Sequence, residues 1–533
     1  MNRWFVSLLF TVFLGGIGSG LSYPGKVVSE LRSPGAHCTG MTFDGKNLWV
    51  ADQFDNAIYC VNVENGKILK KISAPGYWPV GLAWDGKYLW NVDQKQNKIY
   101  KIDPNTGEIL TRLDAPTIKA EGLAWDGQSL WIVDGRDAKI MKIDLSDGTA
   151  VQIYQAPAKH PVGLTYDGQY LWCSDRIMDE LYMIDPQNGE VILVTDAPGP
   201  YSRGLAFGNG HIFNVDYEKD RIYKLIHWDD EPYRLKNPRT ARLTFTHRVN
   251  VTGSGKLTGL DVWFSLPENM PQQRIMSTRI IPNEYQSVED KWHQPIAWLK
   301  YKEAEAGSQI TSTMIVDAEI HEISYFILPH RCGSRDDIPK DIRELYTQDG
   351  SKYQINHPFI RKMAREIVGD ETNPYWIARK LFDYVRNTLE YKLEGGWNTA
   401  PVVLQRGTGS CSEYTFSFVA LCRAVGLPAR YVGAFVVRGD DASLDDVFHR
   451  WPEVYLPNYG WVPIDPQGGD KPSPRDRALN IGHLPNRFLI VTQGGGDSEY
   501  LGWYYISNEA YKCLPKTDIV VETFGDWQPI VPK

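Results

Sequence analysis

No Cys-x-x-Cys pair occurs anywhere in the 533 residues, which sets aside the common zinc-ribbon and dithiol redox motifs. The seven cysteines present are Cys38, Cys60, Cys173, Cys332, Cys411, Cys422 and Cys513, too scattered to resemble a disulfide scaffold. If one of them stays a free thiol, the other six allow fifteen pairings, so no connectivity follows from the sequence. Lysine and arginine form no cluster, and the formal net charge is −8. That balance argues against nucleic acid or an anionic membrane surface as partner. Beyond the first residues, no apolar run reaches the ~18 residues of a spanning helix. The acidic stretch 440–446 lacks the spacing and the central glycine of an EF-hand, so it reads as a solvated loop. No metal and no cofactor are expected.

What is there begins with a leader. Met1-Asn2-Arg3 precedes an apolar run over 4–14, and Gly20 and Ser22 suit cleavage before Tyr23. Residues 1–22 therefore read as a secretory signal, with an uncleaved anchor as the alternative. The expected location is secreted or periplasmic, with no integral membrane segment after signal removal. No cysteine sits at the cleavage point, which speaks against a lipoprotein. A chain of 533 residues with 42% hydrophobic and 23% charged residues is too long for one core and implies about three domains.

Residues 23–230 are a repeat. Gly40, Gly81, Gly122, Gly163 and Gly204 are each 41 residues apart, as are Asp52, Asp93, Asp134, Asp175 and Asp216. Between them lie Leu48-Trp49, Leu89-Trp90, Leu130-Trp131, Leu171-Trp172 and Ile212-Phe213, followed by a second apolar pair such as Ile58-Tyr59. Each unit offers four short strands, and the period fits a β-propeller blade. The fourth strand is missing after Tyr223. Subtracting 41 from Gly66 finds it at Gly25-Lys26-Val27-Val28, before the first blade. That closes a five-bladed ring and leaves no open sheet edge; a sixth, irregular blade is the alternative. The repeated aspartates read as turn formers. Irregular tips at Tyr77-Trp78, His160 and Tyr201-Ser202-Arg203 are better binding candidates. The pattern resembles propellers of the NHL or streptogramin-lyase type.

Residues 231–330 alternate apolar and polar over 241–247, 260–264, 275–281, 296–301, 311–315 and 320–328, which predicts an antiparallel β-sandwich. Helices follow at 358–368 and 374–389, the second capped by Asn373 with Pro374 at its first position.

The chemistry-bearing residues come last. Gly409-Ser410-Cys411-Ser412-Glu413 opens a predicted helix over 412–425, with Ser410 as its N-cap. Cys411 thus sits in a first turn, where free N–H groups and the helix dipole favour a thiolate. His449 comes 38 residues later and leads a strand over 451–456; Asp465 comes 16 after that and closes a strand over 461–464. A nucleophile at a helix start facing a base and an orienting acid on adjacent strands makes a Cys–His–Asp constellation. Cys422, about 16 Å along the helix from Cys411, reads as core.

Four motifs in this order resemble the transglutaminase-like superfamily: Gly409-Ser410-Cys411 with Glu413, Gly426-Leu427-Pro428-Ala429-Arg430, the His449–Tyr455 block, and Tyr459-Gly460-Trp461-Val462-Pro463-Ile464-Asp465. The resemblance implies Cys411 as nucleophile, His449 as general base and acid, and Asp465 as the acceptor that orients the imidazole. It also implies attack on a carboxamide or peptide carbonyl. Arg450 and Pro452 depart from the small or apolar residues usual around that histidine. An oxyanion site would use the Cys411 N–H and a second donor, with Trp397 and Gln405 as candidates. The expected fold is multidomain, with a five-bladed β-propeller, a β-sandwich and an α+β transglutaminase-like (papain-like) domain over 331–490. Residues 491–533 are expected as an extension packed on that catalytic domain.

The leading expectation is an exported cysteine enzyme acting on a protein or peptide, with the propeller as recognition module. Its rivals are a catalytically silent binding protein, and a lyase seated in the propeller. The repeat shows no His or Glu set standing apart from its period, which counts against the last.

Overall fold

In a computed structural model of the chain, residues 22–393, 397–437 and 443–530 are described. The leader and residues 440–442 of the acidic stretch lie outside them. Among the described residues, no helix is long and apolar enough to cross a membrane.

The repeat builds five four-stranded antiparallel sheets. Four of them are made of consecutive strands, as in Pro79–Trp84, Leu89–Asp93, Lys98–Ile102 and Ile109–Asp114. The fifth joins Ser202–Gly208, His211–Asp216 and Arg221–Ile226 to Val27–Arg32 from the start of the chain. The five first strands touch in a closed circle, and the repeated glycine is the reason they can. A Cβ on Gly40 would lie 1.7 Å from the Val80 carbonyl oxygen, one on Gly81 2.4 Å from that of Glu121, and one on Gly163 2.1 Å from that of Arg203. On Gly204 it would come within 2.8 Å of the Met41 nitrogen, which brings the circle back to its first sheet.

The repeated aspartates serve turns. Asp52 Oδ1 accepts from the Asp55 N–H at 2.8 Å, and its Oδ2 accepts from the His37 N–H at 2.9 Å; Asp175 and Asp216 repeat the arrangement. A second set went unread in the sequence. Asp44, Asp85, Asp126 and Asp167 accept from the indole N–H of Trp49, Trp90, Trp131 and Trp172 at 2.8–3.0 Å. The fifth sheet carries Phe213 in place of the tryptophan and no such aspartate. One feature does stand apart from the period: Glu121 and Arg203, both nearly buried, face each other at 3.5 Å.

Two further antiparallel sheets pack on a shared core that includes Phe245, Val262, Phe264, Met314, Val316 and Trp527. One is ordered Gln273–Ile281, Gln309–Tyr325, Tyr233–Gly253, Thr517–Pro529, Ser443–Asp445. In the other, Lys256–Ser265 pairs with Pro295–Tyr301 and with Ser507–Cys513. This corrects the expectation for 491–533. The two C-terminal strands are not an appendage of the transglutaminase-like unit but members of these sheets, where they pair with the backbone edges of Tyr233–Gly253 and Lys256–Ser265. The loop between Gly494 and Ser507, together with part of each C-terminal strand, lines the cleft that holds Cys411.

The last unit has a four-stranded sheet, ordered Gly460–Pro463, His449–Leu456, Ala429–Val436, Phe488–Gly494, with the helix Cys411–Ala424 against it. Helices Pro358–Val368, Pro374–Thr388 and Ala400–Arg406 surround that helix and bury its flanks. The same unit docks on the fourth sheet of the ring. Arg379 donates to the Val191 carbonyl at 3.0 Å and pairs with Glu190, while Arg475 grips Glu180 through two bonds of 2.5 and 2.6 Å.

Candidate active site

Cys411 is the first residue of its helix, so its N–H has no carbonyl four residues back to bond. Glu413 fixes the turn: its carboxylate accepts from the Ser410 N–H at 3.0 Å, the Asn398 N–H at 3.0 Å and the Arg406 guanidinium at 3.0 Å. The Ser410 hydroxyl, buried, has no hydrogen-bond partner. The carboxylate on the first turn also favours the helix start electrostatically.

His449 leads the strand packed across that helix. Its Nε2 lies 2.8 Å from Asp465 Oδ2, and its ring packs on the Trp451–Phe488 pair with both centroids at 5.6 Å. With Nε2 committed to the acid, Nδ1 is the ring nitrogen left to serve the Cys411 thiol, whose ionisation is tied to His449. Asp465 Oδ1 takes the Gln467 and Gly468 N–H groups at 3.0 Å. The turn-forming role and the histidine-orienting role thus belong to different oxygens of one carboxylate.

The electrostatics oppose burial and overcome it. Desolvation pushes the Cys411 thiol up, but the His449 hydrogen bond and charge, the Arg450 backbone N–H and the Arg450 guanidinium together hold it below the ordinary thiol value. Burial disfavours the His449 cation as well, yet Asp465 and the Cys411 thiolate raise it above the usual imidazole range. The arrangement therefore favours a thiolate–imidazolium pair across neutral pH. Cys422, fully buried in the same helix without such partners, is pushed far the other way by desolvation.

Arg450 is what the sequence reading undervalued. Strand alternation beside a charged residue suggests an exposed arginine, but both faces of His449–Leu456 are covered and Arg450 is fully buried. Its guanidinium lies over Tyr505 at 4.1 Å, Tyr431 at 4.6 Å, Trp397 at 4.8 Å and Phe416 at 5.0 Å, and it donates to the Trp503 carbonyl. An aromatic cage holds a cation without a carboxylate to neutralise it, so its field reaches the thiolate.

The two oxyanion candidates separate. Trp397 lines a cleft of about 470 Å³ together with Ser410, Cys411, Ser412, Phe448, Tyr504 and Tyr505. Gln405 does not reach it. The segment Ala400–Arg406 is a helix whose Ala400, Pro401, Val403 and Leu404 are buried, which turns Gln405 out to solvent. The acidic stretch is not simply a solvated loop: residues 440–442 lie outside the described residues, but Ser443–Asp445 pairs with Thr517–Pro529, and the buried Asp445 accepts from the Val436 N–H at 2.8 Å. Among the described residues no group of acids, histidines and cysteines could hold a metal ion. All seven cysteines are free thiols.

Residues 361–466 match the model of the transglutaminase-like superfamily, so the C-terminal part of the chain carries a transglutaminase-like domain. A protein-glutamine gamma-glutamyltransferase of Pseudomonas aeruginosa is 25% identical over 170 residues, 30% of this chain and 24% of that protein. The chain spans 17% to 65% of the length of the curated relatives it matches. Among solved structures, a candidate cysteine protease from Cytophaga hutchinsonii has 15% identity and a TM-score of 0.40, covering 56% of this chain and 94% of that one. The virginiamycin B lyase of Staphylococcus aureus has 17% identity and a TM-score of 0.27, covering 37% and 98%.

Proposed function

We propose that the protein is a cysteine acyl-transfer enzyme acting on a protein or peptide carboxamide or peptide bond through Cys411, His449 and Asp465. The observation that carries the proposal is the Asp465 carboxylate bonded to the His449 imidazole at 2.8 Å, on the strand packed across the helix whose first residue, Cys411, lines the cleft; the lowered thiol pKa agrees with it. The thiolate attacks the carbonyl carbon, and the developing oxyanion turns to the Cys411 N–H with the Trp397 indole as second donor. His449 gives its proton to the departing amine or ammonia as the thioester forms. Water then attacks the thioester, His449 takes its proton, and the acid leaves with the thiol restored. Hydrolysis is the assigned outcome because water is the acceptor always present; transfer to an amine, as the name of the Pseudomonas relative describes, follows the same steps with a different acceptor.

In this reading the ring of five sheets is a five-bladed propeller that presents the substrate protein, and the two facing sheets are a β-sandwich that joins it to the catalytic domain. The leader-like start supports action outside the cytoplasm, in a secreted or periplasmic location; fractionation of expressing cells tests that directly. The chemistry is tested by incubating the purified protein with a peptide library while following ammonia release and new amine termini. Turnover that disappears in Cys411→Ala supports the assignment. Turnover retained by Cys411→Ala contradicts the triad assignment, and no turnover in the wild type on any member favours a silent binding domain.

A further inference from the structure

The wall of the cleft opposite Cys411 belongs to the two C-terminal strands. Ser507 and Glu509 come from Ser507–Cys513, and Val521 and Thr523 from Thr517–Pro529. Apart from a few hydroxyls and the rim residue Asp446, this surface is apolar and aromatic, which makes Glu509 its conspicuous member.

Glu509 is three-quarters buried, with 25% of its side chain exposed. Burial raises its carboxyl, and no lysine or arginine among the described residues pairs with it. Among the described residues, the ionisable group recorded against it is His247, 3.6 Å away through Nε2. That histidine is 1% exposed, its Nδ1 is satisfied by the Ser507 hydroxyl at 3.0 Å, and burial depresses it to about 4. It is therefore neutral near pH 7, and its buried Nε2 has no hydrogen-bond partner. The Glu509 carboxylate thus faces the cleft with a neutral imidazole rather than a counter-charge behind it. A bound ammonium group would supply that counter-charge.

We propose that Glu509 is a specificity-determining residue that takes a primary ammonium group of the acyl-donor peptide, a lysine-type side chain or a free α-amino group, while the scissile carbonyl lies at Cys411. This rests on the cysteine acyl-transfer reading. The ammonium held there is a recognition group rather than the attacking acceptor, because a protonated amine in an ion pair has no lone pair to attack a thioester. The aromatic rings of Tyr504, Tyr505 and Trp397 along the cleft suit the methylene stem that would carry it.

The test compares a lysine-bearing peptide amide with its Nε-acetyl-lysine counterpart, in the wild type and in Glu509→Gln. The wild type is expected to favour the cationic peptide by about 10- to 100-fold in kcat/KM, the scale of a hydrogen bond to a charged group. Glu509→Gln should lose that preference while keeping its rate on the neutral peptide, and Glu509→Lys should reverse it toward a glutamate-bearing peptide. Calorimetric binding of the same peptides to Cys411→Ala provides a readout that needs no turnover. Preferential binding of the cationic peptide without any turnover in the wild type overturns the acyl-transfer reading and keeps the site. Turnover or binding indifferent to the charge, or a preference that survives in Glu509→Gln, overturns the site.

Discussion

At the residue scale the account turns on how one carboxylate and one caged guanidinium set the state of a thiol. Asp465→Asn is the sharpest variant. Asparagine keeps an oxygen for the Gln467 and Gly468 N–H groups, so the turn survives, but it places an amide NH₂ or a neutral oxygen beside His449 Nε2. The imidazolium then loses its counter-charge, so the His449 pKa falls and the Cys411 pKa rises. The reactive ion pair forms as pH rises through the thiol's pKa and is lost as pH rises further through the imidazole's. The variant should therefore show its alkylation midpoint moved upward and its activity plateau narrowed from both sides. Turnover should drop by about 10²- to 10⁴-fold, as for loss of an orienting acid elsewhere. Stopped alkylation at a series of pH values measures the first effect; superimposable profiles would reduce Asp465 to a turn residue. Arg450→Met should also raise the midpoint while filling much of the same space. The two thiols of the Cys411 helix make an internal comparison. Cys411→Ala should leave the melting temperature nearly unchanged, whereas Cys422→Ala, a deletion in a fully buried position, should cost about 1–2 kcal/mol and spare chemistry. Thermal denaturation of both variants checks this.

At the scale of elements, much was legible because the local signals were strong. Asn373 before Pro374 marks a helix start, and the helix runs Pro374–Thr388 with the Asn373 side chain accepting from the Tyr375 N–H. The 41-residue period placed the turns, since the same aspartate caps the same loop in each unit. Short helices were harder to read. Ala400–Arg406 spans two turns, too few for a periodicity to declare itself, so nothing local says that Gln405 faces solvent. Long-range pairings were not legible at all. Nothing local in Thr517–Pro529 says that its partner is Tyr233–Gly253, more than 250 residues earlier. The closure of the ring was readable only because its period could be counted backward. Removing residues 25–34 takes Val27–Arg32 from the edge of Arg221–Ile226. The truncated protein should then aggregate through the bared strand and melt earlier. Light scattering and calorimetry check that, and a truncation that folds like the full chain would leave the N-terminal strand without a closing role.

At the scale of the whole molecule, the cleft is a shared product of units far apart in the chain. Cys411 comes from a helix, His449 from the sheet beside it, Asp465 from the turn after that sheet's edge strand, and the opposite wall from C-terminal strands that belong to the two facing sheets. Gly433 shows how tight the junction is, since a Cβ there would lie 2.5 Å from the Tyr505 ring. Ending the chain at residue 490 should therefore abolish both solubility and Cys411 reactivity, rather than release a smaller active domain. The central claim, that Cys411 is an activated thiolate, is tested most directly by mapping iodoacetamide labelling of all seven cysteines in the native protein between pH 4 and pH 10. The account predicts that Cys411 is labelled first, with a midpoint below the ~8.5 of a free cysteine, while fully buried Cys173 and Cys422 stay unlabelled until the protein unfolds. A Cys411 that reacts only above that value, or no faster than Cys422, would contradict it.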